Sequence, residues 1–210
     1  DHRDLHLSLR RQRQMCIRDS LIGVGLSIGF KANVWNIGAE GQFTMGAIAG
    51  GGTALFLNTQ ESFLVLPAVL LMGILGGVVW GMIPAFLKTK FNANEILTSL
   101  MLSYVALLIL SYLVHGPWRD PGGYNFPESE IFSDFAMLPI LLEGTRLNLG
   151  TGFALLSVLI IYILLSRTVL GYQFKVVGLA PAAAKHAGFD RAKLIWLSMI
   201  ISGGLAGLAG

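Results

Sequence analysis

The chain has little with which to perform covalent chemistry. One cysteine, Cys16, occurs in 210 residues, so neither a disulfide nor thiol chemistry can be argued. Charge is scarce too: 13% of the residues are charged and 54% hydrophobic, with a mean hydropathy of +0.66. These values exclude an ordinary soluble domain and predict an all-α, polytopic helical membrane protein. Residues 1–20 hold five of the 15 basic side chains and three of the 12 acidic ones, leaving ten against nine elsewhere. With neither a basic stripe nor interleaved aromatics, nucleic acid is not an expected partner.

Beyond residue 20 the histidines are His115 and His186, which the span order below puts at opposite faces of the bilayer. A serine nucleophile needs its base within hydrogen-bond reach, so no such pair is supported. Metal-ligand spacings of histidine and carboxylate are lacking, as is a phosphate-cradling glycine loop with lysine. The chain is therefore not expected to be an enzyme or to carry a catalytic residue, a metal or a cofactor.

Residues 1–20 stand apart from the rest. The run Gln14-Met15-Cys16-Ile17-Arg18-Asp19-Ser20 resembles the translation of a transposase end sequence used in sequencing libraries. Residues 1–20 are thus expected to be a non-native segment or a tail, and carry no expectation of fold. Residues 21–210 are expected to form one transmembrane domain, incomplete at both ends, because Ile200 to Gly210 stays apolar to the last residue.

A spanning helix needs roughly 20 mostly apolar residues. That length predicts about six membrane segments, near 21–34, 41–57, 63–87, 95–115, 151–166 and 193–210. Lys88 and Lys90 flank one turn, and Arg167, Lys175, Lys185, Arg191 and Lys193 crowd another, so both turns are expected to face the cytoplasm. Gly116 to Gly150 holds two arginines against five carboxylates and is expected to face outward. Gly73, Gly77 and Gly81 recur at spacing four, as do Gly46 with Gly50 and Gly203 with Gly207. Such ladders let helix backbones approach closely in lipid. Pro84 is expected to kink its helix or mark its exit.

Three polar constellations interrupt this background. Asn36-Ile37-Gly38-Ala39-Glu40-Gly41-Gln42 places a carboxylate and two amides between apolar stretches. Polar groups at membrane depth are costly and mark function, and the two glycines suit a broken or bent helix. The second runs from Asn92 to Tyr104, where Glu95, Ser99 and Ser103 stand one turn apart, as do Asn94 and Thr98. This stripe could line a solute path, or it could serve interhelical bonding with Asn92 or Asn94 as helix cap and Glu95 in the first turn. The third spans Arg167 to Asp190, where Pro181 suits a first helical position, the alanines favour helix and Gly188 suits a stop. That helix is too short to be stable alone. It could seat in a partner's groove or rest on its own protein or the membrane surface.

Together these segments resemble the permease subunit of bacterial ATP-binding-cassette importers, in the nucleoside and simple-sugar branch related to ribose and branched-chain amino acid permeases. The resemblance covers nearly all of Leu21 to Gly210, with NIGAEGQ, NEILTSLMLSY and GYQFKVVGLAPAAAKHAG in the expected order and spacing. Leu179 and Ala180 depart from the family pattern, standing where polar residues are common. The resemblance implies a multi-pass protein of the bacterial cytoplasmic membrane, embedded in lipid, that moves nucleosides or simple sugars inward by alternating access. Its implied partners are an ATPase subunit, a second permease subunit and an extracytoplasmic substrate-binding lipoprotein. Asn36, Glu40, Gln42, Asn94 and Glu95 would shape or gate the path. Gly178, Pro181, Ala182, Ala183, Ala184, Lys185 and Gly188 would belong to the loop coupled to the ATPase, and the acidic segment Asp120 to Asp134 would dock the lipoprotein. An ion-coupled secondary transporter, with Glu40 and Glu95 as coupling sites, is the alternative.

Overall fold

The computed structural model describes residues 2–58, 62–119 and 149–210, with side chains from Ile17 onward, and its elements there are eight α-helices. The acidic segment Asp120 to Asp134 lies outside the described residues. In chain order the helices are α1 (His2–Lys31), α2 (Ala39–Phe56), α3 (Val65–Phe91), α4 (Glu95–His115), α5 (Leu149–Arg167), α6 (Val169–Leu179), α7 (Pro181–His186) and α8 (Arg191–Ala209).

Local chemistry sets many of these boundaries. Asn92 takes a left-handed conformation (φ 51°) and donates its N–H to the Leu87 carbonyl, closing α3. Two residues later Asn94 is extended and accepts the Ile96 N–H at 3.0 Å, opening α4. Thr168 caps α6 in the same manner, and Asp190 accepts the N–H groups of Ala192 and Lys193 at the start of α8. Pro84 neither ends nor exits α3, which runs through it to Phe91.

Among the described residues, four helices rather than six are long and apolar enough to cross a membrane: α3, α4, α5 and α8. The other two expected spans have physical reasons to fall short. Only the last part of α1 is apolar, and α2 carries Glu40, Gln42 and five glycines in 18 residues. Both nonetheless pack inside the bundle, where α2 lies against α3, α4 and α8, and α1 against α8 and α5.

The centre is a seam of bare backbone. A Cβ on Gly77 would strike the Gly203 carbonyl and come within 2.7 Å of the Gly207 Cα. One on Gly46 would strike Gly207, and one on Gly203 would lie 2.6 Å from the Gly77 carbonyl oxygen. The glycine ladders thus bring α2, α3 and α8 to a separation that no larger side chain permits. Outside the seam, α4 and α5 turn Met101, Tyr104, Leu108, Leu155, Leu159 and Tyr162 outward. Helices so uniformly apolar are stable with those faces in lipid.

Candidate functional site

The heptapeptide is the link between α1 and α2 together with the first turn of α2. Its entry is fixed by backbone geometry: Asn33 is left-handed (φ 54°), and the Val34 N–H returns to the Gly29 carbonyl at 2.9 Å. The chain then presents Asn36 inward, 4% exposed, and Gln42 at 1%. The Asn36 Nδ2 donates to Gln42 Oε1 at 2.9 Å and to Ser202 Oγ on α8 at 3.0 Å. Its Oδ1 accepts the Gly38 N–H at 3.2 Å and a longer bond from Gln42 Nε2 at 3.4 Å. Buried amides are expensive unless bonded in this way, and here the carboxamides largely satisfy each other.

Gly38 and Gly41 interlock with the serines of α4. A Cβ on Gly38 would lie 2.7 Å from both Cβ and the carbonyl oxygen of Ser99, and one on Gly41 2.8 Å from the Ser103 Cα. The Gly41 N–H donates to Ser103 Oγ at 3.3 Å, and that hydroxyl donates to the Ser99 carbonyl at 3.2 Å. The serine stripe is therefore a packing surface for the heptapeptide. Glu40 is different: it points away from this cluster and is exposed.

Asn94 and Glu95 do not join that cluster. The side chain of Asn94 caps α4, while Glu95 is largely buried and pairs with Lys88 Nζ at 2.7 Å across the α3–α4 turn. Beside this ion pair, Trp196 Nε1 of α8 donates to Thr89 Oγ1 of α3 at 3.1 Å. The five polar residues singled out from sequence thus divide into a buried pair (Asn36 and Gln42), an exposed carboxylate (Glu40), a cap (Asn94) and a paired carboxylate (Glu95). Sequence reasoning missed Ser202, and it missed Lys88 as the partner of Glu95. The second had a readable signal, a lysine and a glutamate facing each other across a tight turn.

The segment from Thr168 to Asp190 folds as α6 and α7. Gly178 lies directly on the Lys31 carbonyl, with no room for a Cβ. Pro181 occupies the start of α7, and Ala184 is its one buried residue, while Ala182, Ala183 and Lys185 are exposed. Gly188 closes the helix with φ 76°, a conformation that favours glycine. His186 ends α7 exposed, and His115 bonds the Ser111 carbonyl in the last turn of α4. Among the described residues, His, Cys, Asp and Glu form no group of three or more that could hold a metal ion.

A cleft of about 450 Å³ opens elsewhere, between the glycine faces of α2, α3 and α8 and the Trp118 indole. None of Asn36, Glu40, Gln42, Asn94 or Glu95 lines it.

A family described as the branched-chain amino acid transport system / permease component matches residues 19–210. The glucose ABC transporter permease protein of Haloferax volcanii is 36% identical over 200 residues, covering 90% of this chain and 52% of that protein. The guanosine ABC transporter permease protein of Bacillus subtilis is 32% identical over 196 residues, covering 90% and 55%. The nucleoside ABC transporter permease protein of Lactococcus lactis is 28% identical over 197 residues, covering 90% and 54%. The chain spans about half the length of the curated relatives it matches. No solved structure matches it at a significant level.

Proposed function

The chain belongs to the branched-chain amino acid transport system / permease component family, and from that premise we propose that it is part of the membrane permease of an ATP-binding-cassette importer. The match over residues 19–210 carries this reading. The solute class is nucleosides or related simple sugars, as the names of the relatives include both guanosine and glucose. In this reading two permease subunits enclose the path, two ATPase subunits close on ATP, and a substrate-binding lipoprotein delivers solute from outside. The permease itself hydrolyses nothing.

The local geometry supports distinct roles for the polar residues. Asn36 and Gln42 gate the path rather than touch solute, since their amides are buried and bonded to each other, and that of Asn36 also to Ser202. Glu40, exposed at the start of α2, is free to face solute or the second subunit. Asn94 and Glu95 hold the α3–α4 turn beside that gate. The exposed alanines Ala182 and Ala183 with Lys185 meet the ATPase, and Ala184 fastens α7 to its own protein.

Uptake by the permease containing this chain, assembled with its ATPase in vesicles, tests the reading. Uptake should stop when ATP is removed, even with a sodium or proton gradient imposed. Continued uptake under the gradient alone would replace the importer with an ion-coupled carrier.

A further inference from the structure

The contact between Gly178 and the end of α1 connects two regions that are far apart in sequence. Gly178 lies in the last turn of α6, the helix that precedes α7, and its Cα faces the backbone of Lys31 and Ala32 so closely that a Cβ would collide with the Lys31 carbonyl. Around this point Phe174 and Val177 of α6, Ala184 of α7, and Ala32 and Val34 of the α1–α2 link share one buried apolar cluster. Phe174 is wholly buried, and Val177, Ala184, Ala32 and Val34 are each 2% exposed. The Phe189 N–H returns to the Ala184 carbonyl at 2.9 Å, and the Ala180 N–H to Val176 at 2.8 Å. So α7 rides on α6, and α6 rides on the link. A contact that leaves no room for a Cβ has little slack with which to absorb a displacement.

The link is also stiff where it receives that contact. The left-handed turn at Asn33 and the return of the Val34 N–H to Gly29 fix the path from Ala32 to Val34. Two residues further on is Asn36, whose amide holds Gln42 of α2 and Ser202 of α8. These are neutral bonds, each contributing about 1 kcal/mol net, and their partners can be exchanged without exposing a buried charge. A rigid input joined to an exchangeable bond set is what a two-state switch at this point would require.

We propose that Gly178 passes the movement of α7 to the α1–α2 link, and that the Asn36–Gln42–Ser202 cluster is the catch which this movement opens and closes. The proposal rests on the importer reading given above. Gly178, Asn36 and Ser202 are positioning residues in it, because none has to touch solute.

The test uses the whole permease with its ATPase in proteoliposomes, with other cysteines replaced and Ser198→Cys introduced, a buried position one turn from Ser202 on α8 that leaves the catch itself intact. The rate of labelling by N-ethylmaleimide is read without nucleotide and with ATP plus vanadate. The two rates should differ by roughly fivefold or more, and adding Gly178→Ala should bring them within about twofold of each other. Equal rates in the two states in an otherwise unaltered, transport-competent complex would overturn the catch. An undiminished nucleotide effect in the Gly178→Ala protein would overturn the route through Gly178. If Gly178→Ala does not accumulate, Phe174→Leu, which loosens the same contact between α6 and the link, should narrow the two rates in the same way, and an undiminished nucleotide effect there would overturn the route. Failure of the parent permease to bind its ATPase would defeat the importer reading itself, an outcome distinct from equal labelling in a working complex.

Discussion

Two regions hold this bundle together, and they do so by opposite means. The seam of α2, α3 and α8 is backbone against backbone, with Gly46, Gly77, Gly203 and Gly207 leaving no room for a methyl group. The knot at the start of α2 is side chain against side chain, with Asn36, Gln42 and Ser202 bonded and Gly38 and Gly41 set against Ser99 and Ser103. Backbones this close cannot approach further without a collision. A knot of neutral hydrogen bonds can exchange partners at small cost. On the proposal above, the seam is the scaffold and the knot is the part that moves.

The seam should break most severely. Gly77→Val would drive a branched side chain into the backbone of both Gly203 and Gly207, an overpacking expected to cost about 3 kcal/mol or more. Loss of folded protein on detergent extraction, followed by thermal denaturation, would show it; a variant as stable as the parent would mean that the helices are not this close.

The ion pair that closes the α3–α4 turn should come next. Lys88→Ala leaves Glu95 largely buried without its 2.7 Å partner. Both side chains retain some exposure, 19% and 12%, so the loss should be about 1–3 kcal/mol, below that of a fully buried pair. The double variant Lys88→Met, Glu95→Leu should recover much of the stability if desolvation of the orphaned carboxylate is the cause.

The smallest effect should come from the helix cap. Asn94→Ala removes one acceptor for the Ile96 N–H and should cost about 1 kcal/mol, with Asn94→Ser close to the parent. If Asn94→Ala left stability unchanged but altered solute selectivity, Asn94 would belong to the path and the cap would be incidental.

The sequence was legible where physical rules are local. Composition and long apolar runs predict a helical membrane bundle, and α3, α4, α5 and α8 follow from their length and hydropathy. A cap at Asn92 or Asn94, Pro181 at a helix start and Gly188 at a stop were readable from residue type and position, though not which asparagine opens α4. Legibility ended at contacts between distant segments. Nothing in the spacing of Asn36 and Gln42 announces that Ser202, 166 residues beyond Asn36, will be their partner. Nor does Gly178 look different from a helix-ending glycine until Lys31 is found lying on it. The count of spans failed for a related reason: 41–57 is an expected span, but α2 takes in Glu40 and Gln42 and falls short in hydropathy, and the Gln42 amide is held by Asn36 of the link.

Hydrogen exchange at backbone amides tests the contrast most directly, because the amides of Gly38 and Gly41 donate within the knot, while those of Gly77 and Gly207 lie in the seam. The exchange rates are to be compared between the nucleotide-free complex and the complex with ATP and vanadate. Protection at Gly38 and Gly41 should change between the two states while Gly77 and Gly207 stay equally protected in both. Equal changes in the two regions, or a change confined to the seam, would contradict the assignment of the knot as the moving part.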